Sequence, residues 1–361
     1  MEIVKLTQEK YKEWDAFCLE SDDAWFWHTS KWLEYTLNFQ VNNQSESRSF
    51  FLLKDGKMAA ICPLILENNN GAMEFSYNHY YGPVPALANH LTRNERKAVL
   101  KEIFKYIDCL AKQNNVKRVM LRGAVLNPSL VEAREQPFNF LMQFGFIDAS
   151  LNTQILDLRR SVDELRRGVR HGHDSDIDKA SKILTAAVFD CSNITREVFD
   201  KYTDLHHKDP GRAKRKSITF DMMYDWIKDG DAFLIGAQKE NKFIGFSYFF
   251  IFKNNVYYGS ACNDSKAGNL PIAHFIQWEA IQWMCKQGIK FYEIGWQYYS
   301  DTLQNFPSDK EKYISQFKRG FGGISIPLFM GEKYYDKDYF LGTYDSRIKK
   351  YGDNLERVEN E

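Results

Sequence analysis

Apolar and polar positions along the chain follow one grammar twice. In the first half, EIVKL reads as a short strand, followed by helices around Gln8–Glu20 and Lys31–Phe39. Two apolar runs joined at Asp55-Gly56, within SRSFFLLKDGKMAAICPLILE, predict a hairpin. AMEFSYNHYYG is a further strand, and a polar helix runs from Thr92 to about Asn114, with Thr92 and Glu95 at capping-box spacing. KRVMLRGAV reads as a buried strand. PSLVEAREQPFNFLMQFGF reads as a helix that Pro137 interrupts or kinks.

The second half repeats this order. LNTQILDL is a strand, Ser161 and Glu164 form a capping box that opens a helix, and ILTAAVFD is a strand. Helices around Thr195–His207 and Thr219–Lys228 precede a three-stranded meander that turns at Glu240-Asn241 and Asn254-Asn255. A helix from Pro271 to Gln287 has Pro at its start and Gly288 past its end. IKFYEIGW is then a strand, SDKEKYISQFKRGFG a helix and turn, and ISIPLFM a last strand. Each half reads β-α-α-β-β-β-α-β-α. The pattern therefore predicts a tandem α/β (α+β) protein with domains at 1–152 and 153–335, and a polar, peripheral tail at 336–361.

Composition narrows the function. The chain has 361 residues, 44% hydrophobic and 27% charged, enough for full cores. Its 48 Lys+Arg balance 48 Asp+Glu, which argues against a basic coat for nucleic acid. Six scattered cysteines, a charged start and no apolar run long enough to span a bilayer predict a cytoplasmic protein without a signal peptide. The neutrality averages over arginine-rich segments. Arg159, Arg160, Arg166, Arg167 and Arg170 cluster ahead of His171 and His173, and Arg212, Lys214, Arg215 and Lys216 form a second group. Arginine suits bidentate binding of phosphate or carboxylate, so an anionic ligand is expected. The spacing of His171, His173, Asp174, Asp176 and Asp178 scatters them around a helix, and no metal site is expected.

Four ordered segments resemble the FemAB-type branch of the GNAT acyltransferases. These are Trp27-His-Thr-Ser-Lys-Trp32 with Pro63-Leu64, Arg166-Arg-Gly-Val-Arg170 with Asp176-Ile-Asp-Lys-Ala180, Trp278-Glu279 with Gly288-Ile-Lys-Phe-Tyr-Glu-Ile-Gly295, and Gln316-Phe-Lys-Arg-Gly-Phe-Gly-Gly323. The family usually has Asp where Glu293 stands. The resemblance implies tandem GNAT-like domains, each a mostly antiparallel mixed sheet flanked by helices, the second being catalytic. It implies transfer of an acyl or aminoacyl group to a primary amine of a cell-wall precursor, with peripheral membrane proximity.

Acyl transfer needs a cation or backbone donor for the tetrahedral oxyanion. Lys318 is the first candidate, lying between Phe317 and a glycine-rich turn that lets backbone approach a ligand closely. In the family that lysine lies by the transferred acyl group. Glu293 sits in an otherwise apolar strand, where a carboxylate is either paired or raised in pKa towards a general base. The resemblance points to Arg212 or Arg215 for the acceptor's phosphates, and adds Phe317, Trp32 and Arg170 as substrate-binding candidates. A coenzyme A pyrophosphate loop of the usual GNAT kind would fall at Ser265–Leu270, where only Gly268 matches. No permanently bound cofactor is expected, and the donor is aminoacyl-tRNA or acyl-CoA. The alternatives are an acyl-CoA-dependent N-acyltransferase acting on an amino sugar or small metabolite, and a non-catalytic binder of an anionic cell-envelope ligand.

Overall fold

The computed structural model describes residues 1–39, 45–131, 138–208 and 215–359. The chain forms two compact units that are discontinuous in sequence. Residues 1–152, 298–314 and 327 onward make the first, and residues 153–297 with 315–326 make the second.

In the first unit, Glu2–Lys5, Phe50–Lys54, Lys57–Cys62 and Ala86–Leu87 form an antiparallel four-stranded sheet. Asp55 and Gly56 both take left-handed φ, 52° and 75°, as a two-residue hairpin of matching twist requires. A second sheet runs in the order Ile147–Asp148, Met330–Tyr334, Arg118–Arg122, Ala72–Phe75, Ile65–Asn69 and Ser45–Ser47. Helix Arg93–Gln113 is capped by Thr92, whose hydroxyl accepts from the Glu95 N–H while Glu95 accepts from the Thr92 N–H. It buries Val99, Ile103, Phe104, Ile107, Leu110 and Ala111 along one stripe.

Three expectations are corrected here. The helix read over 128–146 is a short helix, Pro128–Val131, and a 3-10 turn, Phe140–Phe144. Asn139 caps that turn and left-handed Gly145, φ 81°, closes it; Pro137 lies outside the described residues. Secondly, residues 298–314 and 327–335 belong to the first unit, because Met330–Tyr334 pairs antiparallel with Arg118–Arg122. Thirdly, the tail is a helix, Lys337–Glu359, and its side chains reach buried charges. Glu332, 1% exposed, accepts both guanidinium nitrogens of Arg347 at 2.8 Å. Tyr81, Tyr334 and Arg118 also donate to Glu332. Arg118 and Tyr339 donate to the fully buried Glu74 at 2.8 Å. Burial alone pushes the Glu332 carboxyl up, but Arg347 and Arg118 bring it below the ordinary carboxylate range.

The second unit is one seven-stranded sheet in the order Thr185–Phe189, Ala232–Lys239, Lys242–Phe252, Asn255–Asn263, Phe291–Gln297, Leu151–Asp157 and Ile324–Leu328. Helices lie on both faces. Phe233, Ile235, Phe249, Tyr292 and Ile294 share a core with helices His171–Ser181 and Ile272–Lys286. Phe246, Tyr248 and Phe250 instead meet rings from helices Arg196–Lys208 and Ile218–Lys228. The meander turns at Glu240-Asn241, as read, and at Lys253-Asn254, one residue early because Asn255 already pairs with Phe252.

Two irregularities matter for the site. A bulge falls at Gly259, between the pairs Tyr248/Ser260 and Phe249/Tyr258. The parallel ladder between Asn255–Asn263 and Phe291–Gln297 joins three residue pairs and ends at Tyr257/Glu293. A bulge bends its strand and raises the local twist, which carries the rest of Asn255–Asn263 off that partner. Among the described residues, no helix is long and apolar enough to cross a membrane.

Replacing Arg347 by Met leaves a buried carboxylate short of its strongest partner and lowers the unfolding free energy by about 3 kcal/mol. The denaturation midpoint in urea measures this, and an unchanged midpoint would show that the last helix is held by other contacts.

Candidate functional site

The ladder's last pair marks a cluster in the second unit. Alternation along Phe291–Gln297 sends Tyr292 and Ile294 into the core and so turns Glu293 to the other face. Glu293 is 3% exposed and accepts a hydrogen bond from Thr153 Oγ1 at 2.7 Å, donated from the adjacent strand. Gly295 has φ +111°, and a Cβ there would stand 2.8 Å from Lys318 Nζ and 4.0 Å from Tyr257 Oη. The lysine amine is thus laid over bare backbone, beside a tyrosine hydroxyl and a buried carboxylate.

Lys318 arrives from the C-terminal end of helix Asp309–Arg319. Burial pushes its amine down to about 8, against the opposing pull of the Glu293 carboxylate. Its neighbour Arg319 donates to Gln297 Oε1 at 2.9 Å, and Gln297 in turn donates to the Gly295 carbonyl at 3.0 Å. The turn after the lysine is pressed against the unit by glycines. A Cβ on Gly322 would lie 2.8 Å from the Gly168 carbonyl oxygen, and one on Gly323 would lie 2.2 Å from that of Ile155. Both take left-handed φ, 83° and 79°, so the sequence Phe-Gly-Gly serves conformation as well as space.

The structure brings Lys318 and Glu293 together and distributes the other candidates. Phe317 is half-buried, with its ring among His173, His274 and Phe321. Arg170 directs Nη2 to His173 Nδ1 at 3.0 Å. Arg215 stacks its guanidinium 3.9 Å from the Phe220 ring centroid, while Arg212 lies outside the described residues. Trp32 belongs to the first unit, stacked on Tyr35 at 5.0 Å and tilted against Trp27 at 4.4 Å. Gly268 is exposed in open space with φ +66°, three residues before Pro271. Close by, Asp264 caps the Lys266 N–H and the Ile272 N–H is taken by the Leu270 carbonyl. Two amides flanking Gly268, those of Lys266 and Ile272, are therefore already taken within the loop.

Sequence reasoning missed Thr153, Tyr257 and Gly295. A glycine inside an apolar strand signals close backbone approach, and Gly295 was legible on that ground. Thr153 and Tyr257 carry no such mark.

The fold of the chain recurs in known structures. FemX matches with a TM-score of 0.65 at 13% identity, over 95% of this chain and 100% of that one. L-PGS from Bacillus licheniformis matches with a TM-score of 0.58 at 14% identity, covering 94% and 97%. A tandem GNAT protein from the clavulanic acid biosynthesis pathway matches with a TM-score of 0.50 at 11% identity, covering 92% and 98%. The fold is that of the tandem GNAT proteins. FemX and L-PGS share this fold. No family model and no curated protein matches the chain.

Two titrations follow. Acetic anhydride should label Lys318 with a midpoint near pH 8, read by peptide mass spectrometry, while exposed lysines follow the ordinary value near 10.4. A midpoint above 10 would show that the amine is not desolvated. His274, lowered to about 4 by burial and by His173 beside it, stays neutral where the unfolded chain is already protonated. Its contribution to stability is complete above pH 6.5 and is lost as pH falls from there towards 4. His274→Phe should flatten that part of the stability profile.

Proposed function

We propose that the chain is an N-acyltransferase that moves an acyl or aminoacyl group onto a primary amine of an anionic acceptor, of the cell-wall precursor class. The observation that carries this reading is the Lys318 amine, desolvated over Gly295 beside Glu293 and Tyr257 where two parallel strands part. FemX and L-PGS among the similar structures support the aminoacyl form of the reaction.

In the transfer, the acceptor nitrogen forms a bond to the donor's carbonyl carbon and the carbonyl oxygen becomes an oxyanion. The ester or thioester bond then breaks, and the proton lost by the amine leaves with the alcohol or thiol. Lys318 in its charged form faces the oxyanion, where a preorganised cation in a dry site counts for most. An amine titrating near 8 is also matched to passing a proton to the leaving group near neutral pH. Glu293, fixed by Thr153, sustains the lysine's charge and is the carboxylate nearest to hand for the incoming ammonium. The donor is an aminoacyl-tRNA in this reading, because the Gly268 loop is sparsely equipped for a pyrophosphate.

The test pairs aminoacyl-tRNA or acyl-CoA with nucleotide-linked cell-wall precursors and reads the product by mass spectrometry. Lys318→Met should lower transfer by about 10²–10³ while the fold persists; undiminished transfer would overturn the assignment. Loss of transfer after ribonuclease treatment identifies the tRNA donor, and persistence identifies the thioester.

A further inference from the structure

We infer that His173 is a positioning residue for Lys318: its Nε2–H holds the Phe317 carbonyl and thereby sets the lysine amine over Gly295. The inference rests on the reading of Lys318 as the reactive cation, and it concerns a residue outside that cluster.

His173 lies in the first turn of helix His171–Ser181 and is 2% exposed. Its Nε2 is 2.8 Å from the Phe317 carbonyl oxygen, and its Nδ1 is 3.0 Å from Arg170 Nη2. A guanidinium carries only donors, so Nδ1 must accept. The ring proton is therefore on Nε2, which donates to Phe317. Arg170 fixes the tautomer that the contact with Phe317 requires. Burial lowers the imidazole's pKa and the Arg170 charge adds to this, against the opposing pull of the Phe317 carbonyl and Asp176.

The Phe317 carbonyl is one of the acceptors left over at a helix end. It takes the Gly320 N–H at 3.0 Å as well as His173, so both of its lone pairs are directed. The Arg170 N–H bonds the Gly320 carbonyl at 2.8 Å, on the far side of the same turn. Between these two bonds the imidazole fills the turn. A Cβ on Gly320 would stand 2.2 Å from His173 Nε2. The ring meets Phe321 edge-on at 5.0 Å and His274 at 4.4 Å. Residues 317 and 320 are thus both clamped by one short segment, 170–173, and Lys318 lies between the clamped points. Rotation of the 317–318 peptide would swing the lysine stem, and misplacement of a reacting group by about 1 Å costs on the order of 100-fold in rate.

Packing alone would be served by any ring of this size, whereas positioning needs the Nε2–H. His173→Phe keeps the ring and removes the donor, while His173→Gln supplies an amide N–H at a comparable reach. The readout is the pH midpoint of Lys318 labelling by acetic anhydride, which needs no substrate. We expect His173→Phe to move the midpoint up by about one unit or more from the native value near 8, as the amine leaves its dry seat. His173→Gln should return it most of the way. If folded His173→Phe keeps the native midpoint, the inference is overturned. Should that variant fail to fold, Arg170→Met, which releases the tautomer, is read by the same measure: a raised midpoint supports the clamp and an unmoved one overturns it. Because labelling is independent of transfer, a shifted midpoint in a chain that transfers nothing would sink the proposed function and leave the clamp standing.

Discussion

A lysine amine resting on a glycine backbone is the constraint on which the second unit turns. The would-be Cβ of Gly295 lies 2.8 Å from that amine, so the strand must present bare backbone there. An ammonium group drawn out of water is costly unless charge and hydrogen bonds answer it. The answer is assembled from segments far apart in sequence: Thr153 steadies Glu293, Tyr257 stands at the last ladder pair of a strand that Gly259 then bulges away, and the Phe-Gly-Gly turn is pressed onto Gly168 and Ile155. Each is a modest local feature, and together they hold the Lys318 amine in an environment that lowers its basicity.

The two units bury carboxylates to opposite ends. In the first, Glu332 and Glu74 are surrounded by guanidinium and phenol donors at close range, an arrangement that binds sheet to helix. In the second, Glu293 accepts from the Thr153 hydroxyl and opposes the burial that lowers the Lys318 pKa.

What the sequence made legible follows the range of the interactions. Caps and two-residue turns are local, and the Thr92, Ser161, Asp55-Gly56 and Glu240-Asn241 assignments reappear in the structure. The lysine in QFKRGFGG and the carboxylate in FYEIGW were visible because their chemistry is out of keeping with their surroundings. Thr153 was not visible, since its meaning depends on a residue 140 positions away. His173 was obscured because it was weighed with His171, Asp174, Asp176 and Asp178 as a metal cluster scattered around a helix, whereas its side chain is buried. The strand Met330–Tyr334 was not read as a strand of its own, the last strand being placed at ISIPLFM, and alternation in any case does not say which sheet receives a segment. The tail looked peripheral because its anchors are an arginine and a tyrosine, residue types that usually mark surface.

The discontinuous units carry a consequence for how the chain is made. Arg118 and Glu74 emerge early from the ribosome, yet Glu332 and Arg347 follow them by more than 200 residues. Until that stretch is synthesised, the first unit lacks the strand that pairs with Arg118–Arg122 on one side, and Arg118 and Glu74 have only each other as ion-pair partners. The last residues of the second unit, at 326, are synthesised before those of the first, so the two units are completed in the reverse of the order in which they begin.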